Sequence, residues 1–314
     1  MENFIFSLEA TMPVFLVMVV GYFLRRVGML NEEFCSVANR YVFKVALPLL
    51  LFRDIAATDL RTDFDWTFVL YCMLVTTVIF LGTWALTARF MPDKSLVGAF
   101  SQAAVRSSAA VLGIAFVENI YGDAGLTPMM IVAAVPLFNI YSVIILTFSA
   151  NHREKGTGAI RTACINVIKN PIILGILAGL PFSLLGIAIP TIPLKTITSI
   201  SNTATPIALL VVGAGFEGKK ALSKIKPTVL ATAIKLVILP ALFLPIAIAC
   251  GFAGAEMIAI LIMVGSPTTV SCYIMAKNMD NDGELTSSII VLTTLLSSVT
   301  LTGWIFLLRC MGLL

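Results

Sequence analysis

Residues 264–272 read VGSPTTVSC, set between the apolar stretches EMIAILIM and YIMA. Pro267 in a helix interior removes a backbone hydrogen bond and clashes with the preceding turn, at a cost of about 3 kcal/mol. Ser266, Thr268, Thr269 and Ser271 put hydroxyl groups at the same depth as that break. Freed backbone groups beside hydroxyls are ligands for a small ion or substrate; the bland alternative is hydrogen bonding between helices. A second polar interruption, VRSSAAVLG at 105–113, carries Arg106, Ser107 and Ser108. Arg106 lies twelve residues past Lys94, or about 18 Å along a helix, which puts a guanidinium near mid-depth of any membrane-crossing segment. Such a group is expensive to bury and matches a carboxylate through two parallel hydrogen bonds. It could instead pair with Glu9 or cap helix carbonyls without touching a ligand. Asn139 is a third buried candidate, either satisfying a neighbouring backbone or contacting substrate.

The elements that must position these groups follow from composition. Hydrophobic residues make up 59% of the 314, charged residues 12%, and the mean hydropathy is +0.99. These values belong to a membrane protein and not to a soluble domain. Apolar runs of about 20 residues recur along the whole chain, each long enough to cross a hydrocarbon core. Their lack of alternation selects helices over a barrel. The expected spans are about 4–24, 33–53, 66–89, 95–118, 127–149, 168–187, 196–216, 227–250, 256–277 and 286–309. The fold class is therefore all-α and polytopic, and the first run reads as a retained span.

Charge orients the spans. Arg25 and Arg26, Arg89 and Lys94, Arg153 to Lys169, the lysines between Lys219 and Lys226, and Lys277 fall on one side. The opposite side has only Arg53, Arg61, Lys195 and Arg309, together with Asp54, Asp59, Asp63, Asp65, Glu118, Asp123 and Glu256, so the basic side is expected to be cytoplasmic and both termini extracytoplasmic. Lys235, eight residues beyond Pro227, is expected to snorkel to the basic interface.

The chain also matches itself. Pro13, Gly21 and Pro48 fall on Pro171, Gly179 and Pro206 at an offset of 158, and Val105, Ser107 and Val111 fall on Val264, Ser266 and Val270 at 159. Two five-helix units, 1–150 and 168–314, joined by a linker at 151–167, would enter the membrane in opposite senses. Inverted repeats of this kind build secondary transporters, whose sites lie near the midplane where discontinuous helices face each other. The two polar interruptions would then be the crossing fourth and ninth helices. Pro48 and Pro206 are read as kinks shaping a scaffold, and GILAG at 175–179 as a close helix contact.

Other chemistries are excluded. The six cysteines show no CxxC spacing, and the single histidine, His152, lies in a hydrophilic loop, so no metal centre, disulfide framework or histidine catalysis is expected. GAGFEGKK at 213–220 ends in Lys220 where a phosphate-binding loop needs Ser or Thr, and DNDGE at 280–284 is too short for a calcium loop.

NRYVFKVALPLLLF at 39–52, RSSAAVLG at 106–113, ATPIALLVVGAGF at 204–216 and SPTTVSCYIMA at 266–276 resemble the auxin efflux carrier family. That family takes in plant PIN-type carriers and bacterial malate or malonate permeases, and is related to the bile-acid carriers. The resemblance covers nearly the whole chain and implies ten helices in two inverted repeats, with movement of small organic anions by an elevator-like step. The binding residues would be Arg106, Ser107, Ser108, Asn139, Ser266, Pro267, Thr268, Thr269 and Ser271, with Pro48, Pro206 and Pro267 as breaks or kinks. The chain departs from the family pattern RSNTGFIGLP: Ser108 stands at its asparagine and Ala115 at its proline, so the fourth helix is expected to be less interrupted than the ninth. The expected partners are a small organic anion and the lipid bilayer of the cell membrane, with no nucleic acid and no cofactor. Sodium or proton coupling and a homodimer stay open. The rival readings are a sodium-coupled organic-anion symporter and a transporter-like sensor that binds without moving its ligand.

Overall fold

The computed structural model describes residues 2–57, 65–109, 126–150, 167–216 and 224–314, with isolated positions at 117, 120, 164 and 165. The chain runs α1 (Glu2–Arg26), α2 (Glu32–Tyr41), α3 (Leu47–Ala56), α4 (Trp66–Phe90), α5 (Val97–Ala103), α6 (Thr127–Ser149) and α7 (Pro171–Leu185). It continues α8 (Thr191–Ser201), α9 (Ala204–Ala214), α10 (Ile225–Ala233), α11 (Leu239–Ala249), α12 (Gly254–Gly265), α13 (Ser271–Asn278) and α14 (Gly283–Cys310). Among the described residues, six helical segments are long and apolar enough to cross a membrane: Glu32–Ala56, Trp66–Phe90, Met129–Ser149, Thr191–Ala214, Ile225–Ala249 and Gly283–Cys310. Pro171–Leu185 and Gly254–Gly265 are shorter apolar helices. Among the described residues there is no strand, only an isolated antiparallel bridge between Ser107 and Thr268. Most of the linker expected at 151–167, and most of the second half of the span expected at 95–118, lie outside the described residues.

Helix starts follow from local chemistry. Asn31 Oδ1 accepts the Phe34 amide at 2.7 Å, Asp65 Oδ1 those of Thr67 and Phe68 at 2.9 and 3.1 Å, and Asp282 Oδ1 that of Leu285 at 2.7 Å. Asn170 does the same for Ile172 at 2.9 Å, with Pro171 at the first helical position. Each takes one or, for Asp65, two of the amides that a helix start leaves without an intrahelical partner.

Two leucine–proline pairs alter the spans they sit in. A π-turn, Val42–Ala46, immediately precedes Leu47 and Pro48, and another, Ile234–Ile238, immediately precedes Leu239 and Pro240. Proline cannot bond the carbonyl four residues back and collides with it. A widened turn moves that carbonyl aside, so the helix continues through the proline. Pro206 lies differently, in the first turn of α9, just past an interruption at Asn202 and Thr203.

Two apolar cores result. One joins α4, α5, α6, α10–α12 and α14 around Phe68, Phe80, Phe100, Phe138 and Leu261. The other joins α1, α2, α3, α7, α9 and α13 around Val42, Leu47, Ile172, Ile176 and Ile274. α6 and α14 contribute to both, through Val143, Leu146 and Ile290 in the second. Within the second core, α1 packs on α9 and α3 on α7 with backbones nearly touching. A methyl added at Gly213 would meet the Met18 backbone, and one at Gly175 would sit 2.9 Å from Pro48 Cα. Gly175 and Gly179 are the glycines of GILAG, and this close approach is what their spacing allows.

Candidate functional site

The polar interruptions meet where these cores adjoin. α5 ends at Ala103 and α12 at Gly265, so both helices stop within the apolar interior. The fourth expected span is thus interrupted after Ala103 as the ninth is after Gly265, although it carries no proline. The reason lies in what each break offers the other. A chain that stops a helix in a dry interior must place the freed carbonyls and amides on some partner. Ser107 Oγ donates to the Met263 carbonyl, and the Ser108 amide donates to the Pro267 carbonyl at 3.0 Å. Thr268 Oγ donates in return to the Ala103 carbonyl at 2.7 Å, and its amide donates to Thr293 Oγ of α14 at 3.1 Å. Gln102 Nε2 adds a bond to the Cys272 carbonyl at 2.9 Å. The partner segment supplies bonds that would otherwise be lost, so no proline is needed on this side.

Lys235 completes the arrangement and overturns an expectation. It does not snorkel: it is fully buried, and its Nζ donates to Ser107 Oγ at 2.5 Å and to the Val264 carbonyl at 2.7 Å. A lysine in the π-turn before Leu239 thus brings its charge to the carbonyl end of α12, the negative end of that helix. Its distance from Pro227 was counted correctly, and α10 does begin among the exposed Ile225 and Lys226, but the Lys235 side chain takes the inward face of the helix and reaches the two breaks instead of that end.

Arg106 leads from this knot into a cavity. Its side chain is buried, with Nη2 donating to Asn139 Oδ1 at 2.5 Å and Nη1 facing Met275 Sδ at 2.6 Å. Asn139 Nδ2 in turn donates to the Val135 carbonyl at 2.8 Å, which fixes the amide's orientation. Among the described residues Arg106 forms no ion pair; the Glu9 side chain, its alternative partner, lies outside them. The cavity is about 80 Å³ and is lined by Arg106, Ser107, Ser108, Asn139, Thr269 and Ser271. Thr205 and apolar groups of α3, α6 and α9, among them Leu50, Phe138 and Ala208, close its other walls. Asp54 stands at one margin, its carboxylate held 2.7 Å from Arg53.

Six of the expected binding residues therefore converge on one small chamber. Ser266, Pro267 and Thr268 do not line it. Thr268 and the Pro267 carbonyl are used between the two breaks, and Ser266 Oγ is buried with no hydrogen-bond partner among the described residues. Among the described residues no cluster of His, Cys, Asp or Glu could hold a metal ion. Lys235, Gln102 and Thr205 are the functional candidates that sequence reading missed. Lys235 carried one usable signal, a charge followed by Leu-Val-Ile-Leu-Pro, similar to Lys44 before Val-Ala-Leu-Pro.

Stacked apolar helices, two of them halted in mid-interior around buried cations and a small polar chamber, define a membrane transport protein and not an enzyme. The family model described as "Membrane transport protein" matches residues 6–305. The chain belongs to this family, the auxin efflux carriers. It is 25% identical over 303 residues to an "Uncharacterized transporter" of Methanothermobacter thermautotrophicus, covering 96% of this chain and 98% of the relative. It is 22% identical over 311 residues to "Uncharacterized transporter YfdV" of Escherichia coli, covering 97% and 98%. It is 23% identical over 305 residues to a "Putative malonate transporter" of Rhizobium meliloti, covering 95% and 94%. The chain is thus a multi-pass membrane protein whose partners are the bilayer and a small-molecule substrate.

Proposed function

We propose that this protein is a secondary carrier of small carboxylates, with the substrate anion held in the Arg106 chamber. The observation that carries the reading is the state of Arg106. Its guanidinium lies buried on the wall of a small cavity, and its partners are a neutral amide and a thioether. A buried cation without a paired carboxylate is costly, and an entering carboxylate supplies the missing charge together with two parallel hydrogen bonds. Ser107, Ser108, Thr269 and Ser271 line the same chamber and offer further donors. The relative named for malonate supports the same substrate class.

The architecture that fits this reading is ten spans in two inverted five-helix repeats, 1–150 and 168–314, in the cell membrane with both termini outside. Similar halves of opposite sense let one body shift against the other and expose the chamber alternately to each side.

The test is flux of radiolabelled malonate and malate in proteoliposomes. Arg106→Ala is expected to lower uptake at least a hundredfold while the purified variant keeps its monodispersity and thermal transition. Wild-type flux in a folded Arg106→Ala variant would overturn the reading.

Sodium coupling is open to a related measurement. In the sodium-coupled reading, a cation would sit on carbonyls freed at the breaks. The Lys235 ammonium already occupies the Val264 carbonyl and Ser107. Initial rates are therefore expected to be equal in sodium and choline media. A strict sodium requirement would favour the symporter.

A further inference from the structure

Lys235 is a buried titratable group to which anion binding alone gives no task. Its Nζ makes two hydrogen bonds, to Ser107 Oγ and to the Val264 carbonyl, and among the described residues it forms no ion pair. An ammonium carries three donors and a neutral amine two. Both bonds therefore survive loss of the proton, and the third donor of the charged form has no acceptor among the described residues. From α13 the buried Cys272 thiol faces both Lys235 and Arg106. The charges on the helices packed around Lys235 stand at helix ends, exposed or half-buried: Lys226 on α10, Glu256 on α12, Glu284 and Arg309 on α14, while α11 has none. Asp54, at the margin of the chamber, is held by Arg53.

Two buried cations at one site set the charge of each state of the carrier. Arg106 keeps its proton at any working pH. With Lys235 protonated as well, a bound dianion leaves the loaded site neutral. Emptied, the same site holds two positive charges in an apolar interior, the costlier state to move. Release of the Lys235 proton with the anion halves that charge. Ser107 supplies the path, since its Oγ accepts from Nζ and the residue lines the chamber. A chamber of about 80 Å³ with hydroxyl walls has room for water. Once the Ser107 hydroxyl turns from the Met263 carbonyl towards that water, its proton leaves to the water as Lys235 passes its own to Oγ, and the ammonium becomes an amine. Bulk solvent is near: α13 carries Ser271 on the chamber and Lys277 on a larger cavity of about 850 Å³, which opens among Arg25, Arg26 and Arg40 at the basic end of the molecule. The two residues are about 9 Å apart along the helix.

We infer that Lys235 is the proton-coupling residue of this protein: it takes up one proton as a dicarboxylate enters the Arg106 chamber and gives it back as the anion leaves, so that each dianion crosses with one proton. Lys235 acts through Ser107 and through the charge of the site, without touching the anion. The inference rests on the reading of the chain as a carboxylate carrier, but the two can be tested apart.

The test is the proton count of malonate binding to the full-length protein, from binding heats in buffers of different ionisation enthalpy. Above about pH 7.5 malonate is already a dianion, so a proton taken up on binding belongs to the protein. The bound anion favours protonated Lys235, so binding is tightest where the lysine is already charged and weakens as pH rises. The wild type should take up a fraction of a proton that grows towards one as pH rises, with affinity falling by up to about tenfold per pH unit. Lys235→Arg keeps the charge and the donors but holds its proton throughout, and should show no uptake and a flat affinity over the same range. In proteoliposomes with the membrane potential clamped at zero, an outside-acid step of about one pH unit should concentrate malonate up to about tenfold for the wild type and not for Lys235→Arg.

The wild type decides even where Lys235→Arg fails to fold: malonate binding with no proton uptake at any pH overturns the inference and leaves the carrier reading standing. Proton uptake as large in folded Lys235→Arg as in the wild type places the proton elsewhere and overturns it too. If uptake depends on Lys235 as expected but Arg106→Ala transports normally, the reading of Arg106 falls and the coupling at Lys235 stands. If malonate neither binds nor moves at any pH, both fall.

Discussion

Thr268 and Lys235 hold carbonyls that have no helical partner, and this makes their side chains worth more than surface hydroxyls or amines. Thr268→Val keeps the volume but strands the Ala103 carbonyl, at a cost of about 1–3 kcal/mol. Thr268→Ser keeps the donor and should recover most of that loss. Lys235→Met likewise strands the Val264 carbonyl and takes a donor from Ser107. The expected result is a lower thermal transition in detergent for Thr268→Val and Lys235→Met, with Thr268→Ser near wild type. Equal transitions for the valine and serine variants would show that the inter-break bond carries no stability. The Arg106 chamber was readable in the sequence because a charge at mid-depth beside clustered hydroxyls is too costly in an apolar run to stand there unused. Lys235 was hidden because spacing from Pro227 gives a distance along the helix but not the face the side chain takes, and that face is turned to the two breaks. Ser266, Pro267 and Thr268 could not be separated from Thr269 and Ser271 for a different reason. In an extended break each residue faces a new direction, and only the partner segment decides which faces the cavity.

Helix starts were legible to within a few residues from the apolar runs alone: those expected at 33, 66, 168 and 286 fall at Glu32, Trp66, Pro171 and Gly283. The break after Ala103 was marked by the polar run at 105–113, but what holds it open was not legible, because no cap or proline ends α5 there. Its cause is the Thr268 hydroxyl and the Pro267 carbonyl, more than 150 residues along the chain. The close helix pairs were partly legible, since a glycine pattern shows that two backbones can touch without naming the partner. That partner now gives an element-scale test. Gly213 faces the Met18 backbone, whereas Gly82 in α4 has open space around its missing Cβ. Gly213→Ala must push α1 and α9 apart along a packed face, and neither backbone is a flexible side-chain end that can swing away. Gly82→Ala removes a helix-destabilising residue at no steric cost, a gain of up to about 1 kcal/mol. Thermal unfolding should show a large drop, or failure to accumulate, for Gly213→Ala and an unchanged or slightly raised transition for Gly82→Ala. A tolerated Gly213→Ala would mean that the α1–α9 contact is looser than the structure has it.

At the scale of the molecule, the two cavities give the chain a polarity that the distribution of charge turns into an orientation. The larger cavity opens among Arg25, Arg26, Arg40 and Lys277, and the loops on that end hold most of the basic residues. Basic loops stay on the cytoplasmic side because moving lysine and arginine across the bilayer during insertion is unfavourable. The larger cavity should therefore face the cytoplasm, and the ends of α11 and α14 should face outward. Those two ends lie together, since the Gly254 amide donates to the Leu313 carbonyl at 2.8 Å. Native cysteines mark both faces: Cys250 and Cys310 are exposed at the expected outer end, and Cys164 is exposed just before α7 among the basic residues of the linker. A membrane-impermeant maleimide applied to intact cells should label Cys250 and Cys310 and spare Cys164 until the membrane is opened. Single-cysteine variants read by mass shift make each site distinguishable. The reverse pattern would invert the orientation, making the large basic cavity an outer vestibule. Labelling of Cys250 and Cys310 from opposite sides is the more damaging result. It would contradict the packing of the α11 end against the chain terminus, and with it the even number of spans on which two inverted five-helix repeats depend.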